Sequence, residues 1–414
     1  METPVNRETH STGYAGATAL PSGLAGRVVG GWVVAALFMG STLLTPLYDL
    51  YRATFHLSVA GLGLLYAVYV LGNLAALLFL GRLSDQIGRR PVALAGVTLA
   101  AVSAGLFLAA GSPALLFAGR IVSGLAVGVG SGAATAWIAE STPKERRVEA
   151  AATMTAFNFL GLALGPIVAG VLAQYAPWPQ RLPFVVYLVL LAATALVATR
   201  PKETVTRDKG APVDLRPRLG VPAQARLAFI APATAGLTAM AVVGFYAALG
   251  PGLVGQALHL QNRALSNLVV ALLFVIAAGV VLATRKLGAR PAMLAGLILT
   301  PAGLGLLAAA QALTSAPLML AGTAVCGAAT AASYRGGLAS ASALAPPERR
   351  AEVASSYFVC CFLGNALPIV GVAALSQAIG AELADRIFAG VLTALTLGAV
   401  ACNLAFSRPQ AAKR

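Results

Sequence analysis

The amino-acid sequence predicts an all-α membrane protein whose twelve transmembrane helices form two pseudo-symmetric bundles of six. Composition is the first observation behind this fold class, since 58% of the 414 residues are hydrophobic and only 10% are charged. Soluble proteins carry about 25% charged residues. Aromatic residues make up only 7% and glycines number 44, which favours helices packed through small residues over a lipid-facing β-barrel with aromatic girdles.

The second observation is a series of twelve apolar runs, each close to the roughly 20 residues that a helix needs to cross a bilayer. The predicted spans are Val28–Leu50, Val59–Leu80, Val92–Ala110, Ala114–Ala139, Ala150–Ala173, Pro183–Thr199, Leu227–Leu249, Ala264–Ala283, Ala292–Ala312, Leu318–Ser340, Val353–Ser376 and Arg386–Phe406. They divide the chain into a tail (1–27), a first bundle (28–199), a linker (200–226), a second bundle (227–406) and a second tail (407–414).

The third observation is an internal repeat. Residues Ile87–Leu99 read IGRRPVALAGVTL, and Leu287–Leu299 read LGARPAMLAGLIL, at an offset of 200. Further along, Pro143–Gln174 matches Pro346–Gln377 at an offset of 203. The two halves are therefore predicted to be parallel repeats with a binding site between them, an arrangement typical of transporters.

The distribution of basic residues predicts the orientation. With a cytoplasmic N-terminus, 23 of the 29 Lys and Arg residues fall in cytoplasmic segments and only four fall outside. Cytoplasmic loops carry this excess. The protein is thus predicted to lie in a plasma membrane, the bacterial inner membrane, with both termini in the cytoplasm. The same placement explains the net charge of +15 without a nucleic-acid partner.

The loop between the second and third spans reads GRLSDQIGRRP over Gly81–Pro91. Gly88 permits a turn with positive φ, and Pro91 suits the first turn of a helix. Arg89 and Arg90 are expected at the lipid headgroups, where basic side chains hold a loop on the cytoplasmic side. These features predict a tight cytoplasmic turn between two membrane helices.

The order of a glycine (Gly81), an aspartate four residues later (Asp85), then a glycine and paired basic residues resembles the loop signature of the major facilitator superfamily of transporters. The loop departs from it at Gln86, where the family usually has Arg or Lys, and the second repeat has Arg285 in place of the aspartate. The resemblance implies that Asp85 packs near the start of helix eleven (350–353) and helps hold the halves in an outward-facing state. Topology explains the arginines, so Asp85 is the predicted functional residue of this loop.

Helix four contains a charge, Arg120, several residues inside its outer boundary. An intramembrane charge indicates a functional site, and Arg120 resembles the family's helix-four arginine, which implies a role in proton coupling or substrate binding. The alternative is a side chain that extends to the nearby interface. Thr323 stands at the repeat position. Gly124, Gly128 and Gly132 predict one ridge for a neighbouring helix.

Helix five contains Gly161, Gly165, Pro166 and Gly170. The proline removes a backbone hydrogen bond and is expected to bend the helix. The pattern resembles the helix-five motif of proton-driven exporters, with Ala169 at one usual glycine position, and so indicates export. A kinked, closely packed helix without that role is the alternative.

Other candidate residues follow from their positions. Glu140 and Arg147 flank the loop between helices four and five and are expected to form a cytoplasmic latch of weak surface ion pairs. Polar residues within the spans either line a water-filled cavity or hydrogen-bond to another helix. These possible cavity residues are Tyr66, Tyr69, Asn73, Asn158, Tyr246, Asn267 and Asn365. Asp49, at the outer end of helix one, is either a protonatable coupling group or a boundary residue paired with Arg52.

The predicted function is secondary active transport by alternating access, with proton-coupled export of small amphipathic or apolar molecules, as in multidrug efflux. The alternative is an importer or facilitator of a sugar, organic acid or other small nutrient. An enzyme is not predicted, because no predicted span contains a histidine or a pair of carboxylates, and the chain lacks a Gly-x-x-x-x-Gly-Lys loop. We expect a monomer in the bilayer that binds a small-molecule substrate, uses a proton gradient, and needs no cofactor, metal or obligate protein partner.

Overall fold

The computed structural model describes residues 22–201, 203–205, 217, 219–346 and 349–406. Most of the first predicted tail, most of the predicted linker and the second tail lie outside the described residues. The side chain of Arg147 does so too. The boundaries of these segments therefore stay predictions. Throughout the described ranges the regular structure is helical.

Twelve apolar helices follow one another along the described residues. They are α1 (Gly26–Phe55), α2 (Val59–Leu80), α3 (Arg89–Leu108), α4 (Pro113–Glu140), α5 (Val148–Tyr175), α6 (Leu182–Ala198), α7 (Ala223–Ala248), α8 (Arg263–Ala283), α9 (Ala289–Ala312), α10 (Ala316–Ala343), α11 (Arg350–Ile379) and α12 (Ala381–Ala405). Eleven have at least 20 residues, and α6 has 17, the short end of the range of about 17–25 for a span. The predicted all-α membrane fold is confirmed.

Two boundaries differ from the prediction in ways that affect the site. Helix α1 is interrupted by a 3-10 turn at Thr45–Leu47, after which the chain continues as Tyr48–Phe55. Helix α12 begins at Ala381 rather than at Arg386. The apolar pattern missed the start of this helix because its acidic residues, Glu382 and Asp385, interrupt the hydropathy signal, although negative charge suits a helix N-terminus. Asp385 therefore lies within a membrane helix.

The bundle has two ends, which we name by what they contain. The loop end contains the Gly81–Pro91 loop and the described residues at the start of the linker, and the far end is the opposite one. At the far end, α2, α8 and α10 begin with side-chain caps, in which an oxygen of the preceding residue accepts from a backbone N–H of the first turn. Such caps satisfy donors that a helix leaves free. The capping residues are Ser58, Asn262 and Ser315.

Close helix contacts at glycines repeat between the two halves. A Cβ on Gly161 of α5 would overlap the Ala35 carbonyl of α1, and one on Gly364 of α11 would overlap the Leu237 carbonyl of α7. In a membrane such small residues let backbones approach closely. The repeat in the sequence therefore corresponds to a repeat in packing.

Two of the three glycines predicted to form a ridge on α4 contact α2. A Cβ on Gly124 would overlap the Tyr69 carbonyl oxygen, and one on Gly128 would lie 2.9 Å from Asn73 Oδ1. Gly132 has no neighbouring atom within 4 Å of the same position, so the prediction is wrong for this residue. A helix turns about 100° per residue, so four-residue steps drift around the helix and the third glycine has left the contact.

Candidate functional site

The Gly81–Pro91 loop is held by a buried arginine at the start of α3. Arg89 is only 8% exposed. Its Nη2 and Nε atoms donate to Glu140 Oε1 at 2.7 and 3.1 Å, and its Nη1 donates to Ser84 Oγ at 2.7 Å and forms an ion pair with Asp85. The expectation that Arg89 lies at the lipid headgroups was wrong, because two carboxylates at the loop end draw its guanidinium inward.

The start of the linker completes this network. Glu203 accepts hydrogen bonds from the backbone N–H groups of Arg89 and Arg90, both at 2.9 Å, and Thr204 Oγ1 donates to Glu140 Oε2 at 2.5 Å. The Glu203 carboxylate therefore caps the N-terminus of α3, where a negative charge is favourable. Gly88 has φ 113° and passes so close that a Cβ would lie 2.7 Å from Glu203 Oε2, so glycine is required there.

The geometry fixes the direction of the Glu203 pKa. Burial opposes ionisation, but hydrogen bonds from the backbone of Arg89, Arg90, Val205 and Thr204 outweigh it, so the pKa of Glu203 lies below its ordinary value. A carboxylate with a lowered folded pKa stabilises the protein above the ordinary glutamate pKa of about 4.3, and this contribution is lost as the pH falls through the lowered pKa.

We expect Glu203→Gln to lower the thermal unfolding temperature of the purified protein at neutral pH. The loss corresponds to about 1 kcal/mol or less, because Glu203 as a whole is an exposed residue and water screens its partly buried carboxylate. The difference from wild type should shrink as the pH is lowered below about 4. Glu145→Gln, at an exposed site after α4, is the matched control and should have no effect. A Glu203→Gln deficit that persists unchanged at low pH would contradict the assignment of the charge.

Arg120 of α4 is fully buried, with 0% exposure, among aromatic side chains. Its Nη1 donates to the Ser41 carbonyl oxygen at 2.7 Å and its Nη2 donates to the Tyr48 hydroxyl. The rings of Tyr48, Tyr66 and Tyr69 lie 5.5, 5.6 and 5.8 Å from the guanidinium carbon. We call Arg120 and these three tyrosines the arginine cage. The alternative in which Arg120 extends to the interface does not fit a fully buried side chain.

The helix-five residues connect α5 with both neighbours. Pro166 cannot donate to the Leu162 carbonyl one turn earlier, and Thr42 Oγ1 of α1 donates to that oxygen at 3.0 Å. A Cβ on Gly165 would overlap the Thr42 side chain. Gly170 instead faces α8, where a Cβ would lie 2.9 Å from Asn267 Cβ. The motif thus provides close packing within one half and close approach between the halves.

The polar residues predicted to line a cavity are divided among several places. Tyr66 donates to Asn365 Oδ1 across the halves at 3.1 Å, and Asn73 Nδ2 donates to the Tyr69 hydroxyl at 3.2 Å. Tyr246 is hydrogen-bonded to Thr323 at 2.9 Å, the residue that stands where the other half has Arg120. The polar groups nearest the arginine cage therefore come from both halves.

Three predicted residues lie away from the cage. Asn267 sits in the first turns of α8 and donates to the Arg263 carbonyl of its own helix at 2.8 Å, and its approach to Gly170 places it in the contact between the halves. Asn158 is half-buried on α5, and Asp49 is exposed. Within the described part of the chain Asp49 forms no ion pair, so the predicted pairing with Arg52 is not formed.

The halves meet at the far end through two related glutamines. Gln174, at the end of α5, accepts from the Arg263 backbone N–H of α8 at 2.9 Å. With its amide oriented so that the oxygen faces α2, Gln377 at the end of α11 accepts from Ala60 and Val59 at 3.0 and 3.3 Å. Each glutamine side chain thus caps a helix of the other half. We call Gln174 and Gln377 the glutamine pair.

Some residues of interest were missed by sequence reasoning, although two left a signal. Both glutamines end the repeated segments that the sequence comparison aligned, and a polar residue kept at the end of both copies indicated a shared role. Asp385 of α12, which accepts from Gln311 Nε2 at 3.3 Å and lies beside Phe245 and Phe388, was hidden by the helix boundary. Glu203 had no signal, since it lies in a charged linker.

The helical bundle, its repeated halves and a buried polar cage that is hydrogen-bonded across them through Tyr66 and Asn365 define a membrane transporter. The Major Facilitator Superfamily family model matches residues 30–285. The chain belongs to this superfamily, and it is therefore a transporter rather than an enzyme.

Individual relatives show which members the chain resembles. It is 29% identical over 161 residues to the multidrug resistance protein MdtL of Escherichia coli O45:K1 (strain S88 / ExPEC), covering 38% of this chain and 41% of MdtL. It is 28% identical over 148 residues to the quinolone resistance protein NorA of Staphylococcus aureus (strain Mu50 / ATCC 700699), covering 36% of this chain and 37% of NorA. The matched stretches thus span about two-fifths of each curated relative.

A solved structure matches the whole fold. The inward-facing, unoccupied form of a bacterial homologue of the human lysosomal transporter Spinster superposes with a TM-score of 0.69 at 15% identity, covering 95% of this chain and 100% of that structure. At this identity the likeness concerns the fold alone.

Proposed function

We propose that this protein is a proton-coupled exporter of small amphipathic or apolar molecules that works by alternating access in a bacterial inner membrane, as a monomer with the loop end in the cytoplasm. The observation that carries the proposal is the far-end contact between the halves. Helix α5 packs on α8 and α2 packs on α11, with one member of the glutamine pair in each contact. Rocking two halves around a central site is how such repeats expose it to either side.

Close approach at the far end is built into both contacts. Gly170 meets Asn267 in the first, and a Cβ on Gly63 of α2 would lie 2.7 Å from Ala373 Cβ of α11 in the second. The aromatic contact between Phe159 of α5 and Tyr334 of α10, at 6.2 Å between ring centroids, lies nearer the middle of both helices. With the loop end in the cytoplasm, the conformation described is closed to the outside.

The loop-end network lies within the first half, so it does not oppose the rocking of one half against the other. Arg89, Glu140 and Glu203 are contributed by α3, α4 and the residues after α6, so the network ties helices of the first half to one another. In the conformation described, Asp85 pairs with Arg89 of its own half. Contact of Asp85 with the start of helix eleven stays a prediction for the outward-facing state.

Export as the direction rests on two supports. The first is the helix-five motif, in which the proline and glycines make the contacts described above. The second is the resemblance to MdtL and NorA, whose names describe multidrug and quinolone resistance. The alternative function is import or facilitated passage of a sugar, organic acid or other small nutrient, which the same fold supports.

The protonatable group is proposed to be Asp385. Its side chain is half-buried beside Phe245, Leu307 and Phe388, with Gln311 as its hydrogen-bond partner. The neighbouring Arg386 pairs with Glu382 at 2.5 Å. A carboxylate in such surroundings changes its charge readily when its burial changes.

The test uses inside-out vesicles from cells that express the protein and a panel of fluorescent amphipathic dyes, some cationic, some neutral and some carboxylated. We expect at least one dye to accumulate only when the vesicle interior is acidic, as an exporter driven by proton exchange requires. Asp385→Asn should reduce this accumulation about tenfold or more, whereas Asp49→Asn, the exposed matched control, should retain it. Accumulation that ignores the pH gradient in either direction would contradict proton coupling.

A further inference from the structure

The arginine cage holds a buried positive charge without a carboxylate partner. Among the described residues, no Asp or Glu forms an ion pair with Arg120, and Asp49, next to Tyr48 in the chain, is exposed. Moving an unpaired charge out of water is costly, and the cost falls when an opposite charge and hydrogen bonds are supplied. Within the described residues, the positive charge of the Arg120 guanidinium is therefore not balanced by a carboxylate.

The hydrogen-bonding capacity of the guanidinium is also incomplete. Arginine presents five N–H donors, and the structure pairs Nη1 with the Ser41 carbonyl and Nη2 with the Tyr48 hydroxyl. The Nε atom is buried and has no hydrogen-bond partner. The Nε and Nη2 donors form one edge of the planar group, the edge that a carboxylate engages with two parallel hydrogen bonds. On that edge, Nε has no hydrogen-bond partner, and Nη2 donates only to the Tyr48 hydroxyl.

The surroundings of this edge favour a flat organic anion over a bare ion. Three tyrosine rings lie within 6 Å of the guanidinium carbon, and aromatic faces pack well against planar groups. Tyr66 also donates to Asn365 of the other half. A ligand that enters the cage therefore meets a side chain that joins the two halves.

From this geometry we infer that the arginine cage binds the carboxylate group of an amphipathic, aromatic organic acid, with its oxygens on the Nε and Nη2 donors of Arg120. This inference rests on the proposed transport function and narrows it to substrates that carry a negative charge. In the other half, Thr323 stands at the position equivalent to Arg120 and is hydrogen-bonded to Tyr246. The second half therefore carries no charge at the position equivalent to Arg120.

The experiment compares 2-naphthoate with 2-naphthamide, which has the same ring system but no charge. We measure the affinity of the purified protein by calorimetry and the shift in its thermal unfolding temperature. Naphthoate should bind and raise this temperature, and naphthamide should bind about tenfold or more weakly, because a hydrogen-bonded charge pair is lost. Equal binding of the two compounds would overturn the inference.

Variants assign the effect to the cage. Arg120→Lys keeps the charge but not the two-donor edge, and should weaken naphthoate about tenfold, with Arg120→Gln weaker still. Tyr48→Phe frees the Nη2 donor and should therefore bind naphthoate more tightly than wild type. Thr323→Val, the matched change in the other half, should leave the affinity unchanged. If neither Arg120 variant folds, the comparison of the two compounds on wild type still decides.

Three further outcomes separate this inference from others. Stabilisation by sodium chloride that equals the naphthoate effect, with no addition from naphthoate, would identify a halide site and overturn the carboxylate assignment. If vesicles transport neutral and cationic dyes but naphthoate does not bind, the transport proposal stands and this inference fails. If naphthoate binds through Arg120 but no compound is transported, the inference stands and the transport proposal fails.

Discussion

Leucine in place of Gly124 is expected to prevent the chain from folding stably. Gly124 of α4 meets the backbone of α2, where a Cβ would overlap the Tyr69 carbonyl oxygen and lie 2.9 Å from the Asn73 backbone nitrogen. Backbone atoms inside a helix cannot move aside as a flexible side chain can. The two helices must separate, which costs about 3 kcal/mol, the upper end of the usual cost of overpacking, and opens the side of the arginine cage that α2 forms.

The same helix supplies the control for this experiment. Gly132→Leu introduces an identical side chain where the structure places no atom within 4 Å, so stability should change by less than about 0.5 kcal/mol. Unfolding can be followed with a thiol-reactive dye, because Cys326 and Cys361 are buried, at 0% and 2% exposure. A Gly124→Leu protein that elutes and unfolds like wild type would contradict the described α2–α4 contact.

A covalent bond across the far end is expected to stop transport completely. Gly63 of α2 and Ala373 of α11 belong to different halves, and a Cβ on Gly63 would lie 2.7 Å from that of Ala373. Disulfides need Cβ atoms about 3.5–4.5 Å apart, so cysteines at these positions pair after a shift of about 1 Å. The disulfide would hold α2 against α11. A transporter that must open this end cannot release its substrate there.

The physical reason for the large effect is that the far-end contacts are individually weak. Each member of the glutamine pair contributes neutral hydrogen bonds, worth about 0.5–1.5 kcal/mol each, and the remaining contacts are close packing. Such an interface can open and close during a transport cycle, and a disulfide cannot. Single Gly63→Cys and Ala373→Cys variants provide the controls, since oxidation should leave them active.

The fold could be predicted from the sequence because a bilayer imposes few solutions. Apolar runs of about 20 residues must become helices whose backbone groups bond internally, and the repeat required two equal halves. Composition and repeat therefore determined the architecture. The boundary of α12 could not be predicted in this way, since Glu382, Asp385 and Arg386 interrupt the hydropathy of its first turns while lying in a helix.

The candidate site was predicted less completely, because its geometry depends on which helices meet. The sequence singled out Arg120, Tyr66 and Tyr69 but could not show that they surround one another, since they lie on α4 and α2. It placed Arg89 at the membrane surface because basic residues usually lie there, whereas Glu140 and Asp85 draw it into the protein. Pairing with residues distant in sequence is what the pattern of a single chain cannot predict.

The central claim is that the two halves open and close at the far end during transport. The most direct measurement is dye accumulation in inside-out vesicles containing the Gly63→Cys/Ala373→Cys protein, with the native cysteines replaced, before oxidation, after oxidation and after reduction. We predict that oxidation forms the disulfide and stops accumulation, and that reduction restores it. Accumulation that continues at the wild-type rate in fully cross-linked protein would contradict the claim.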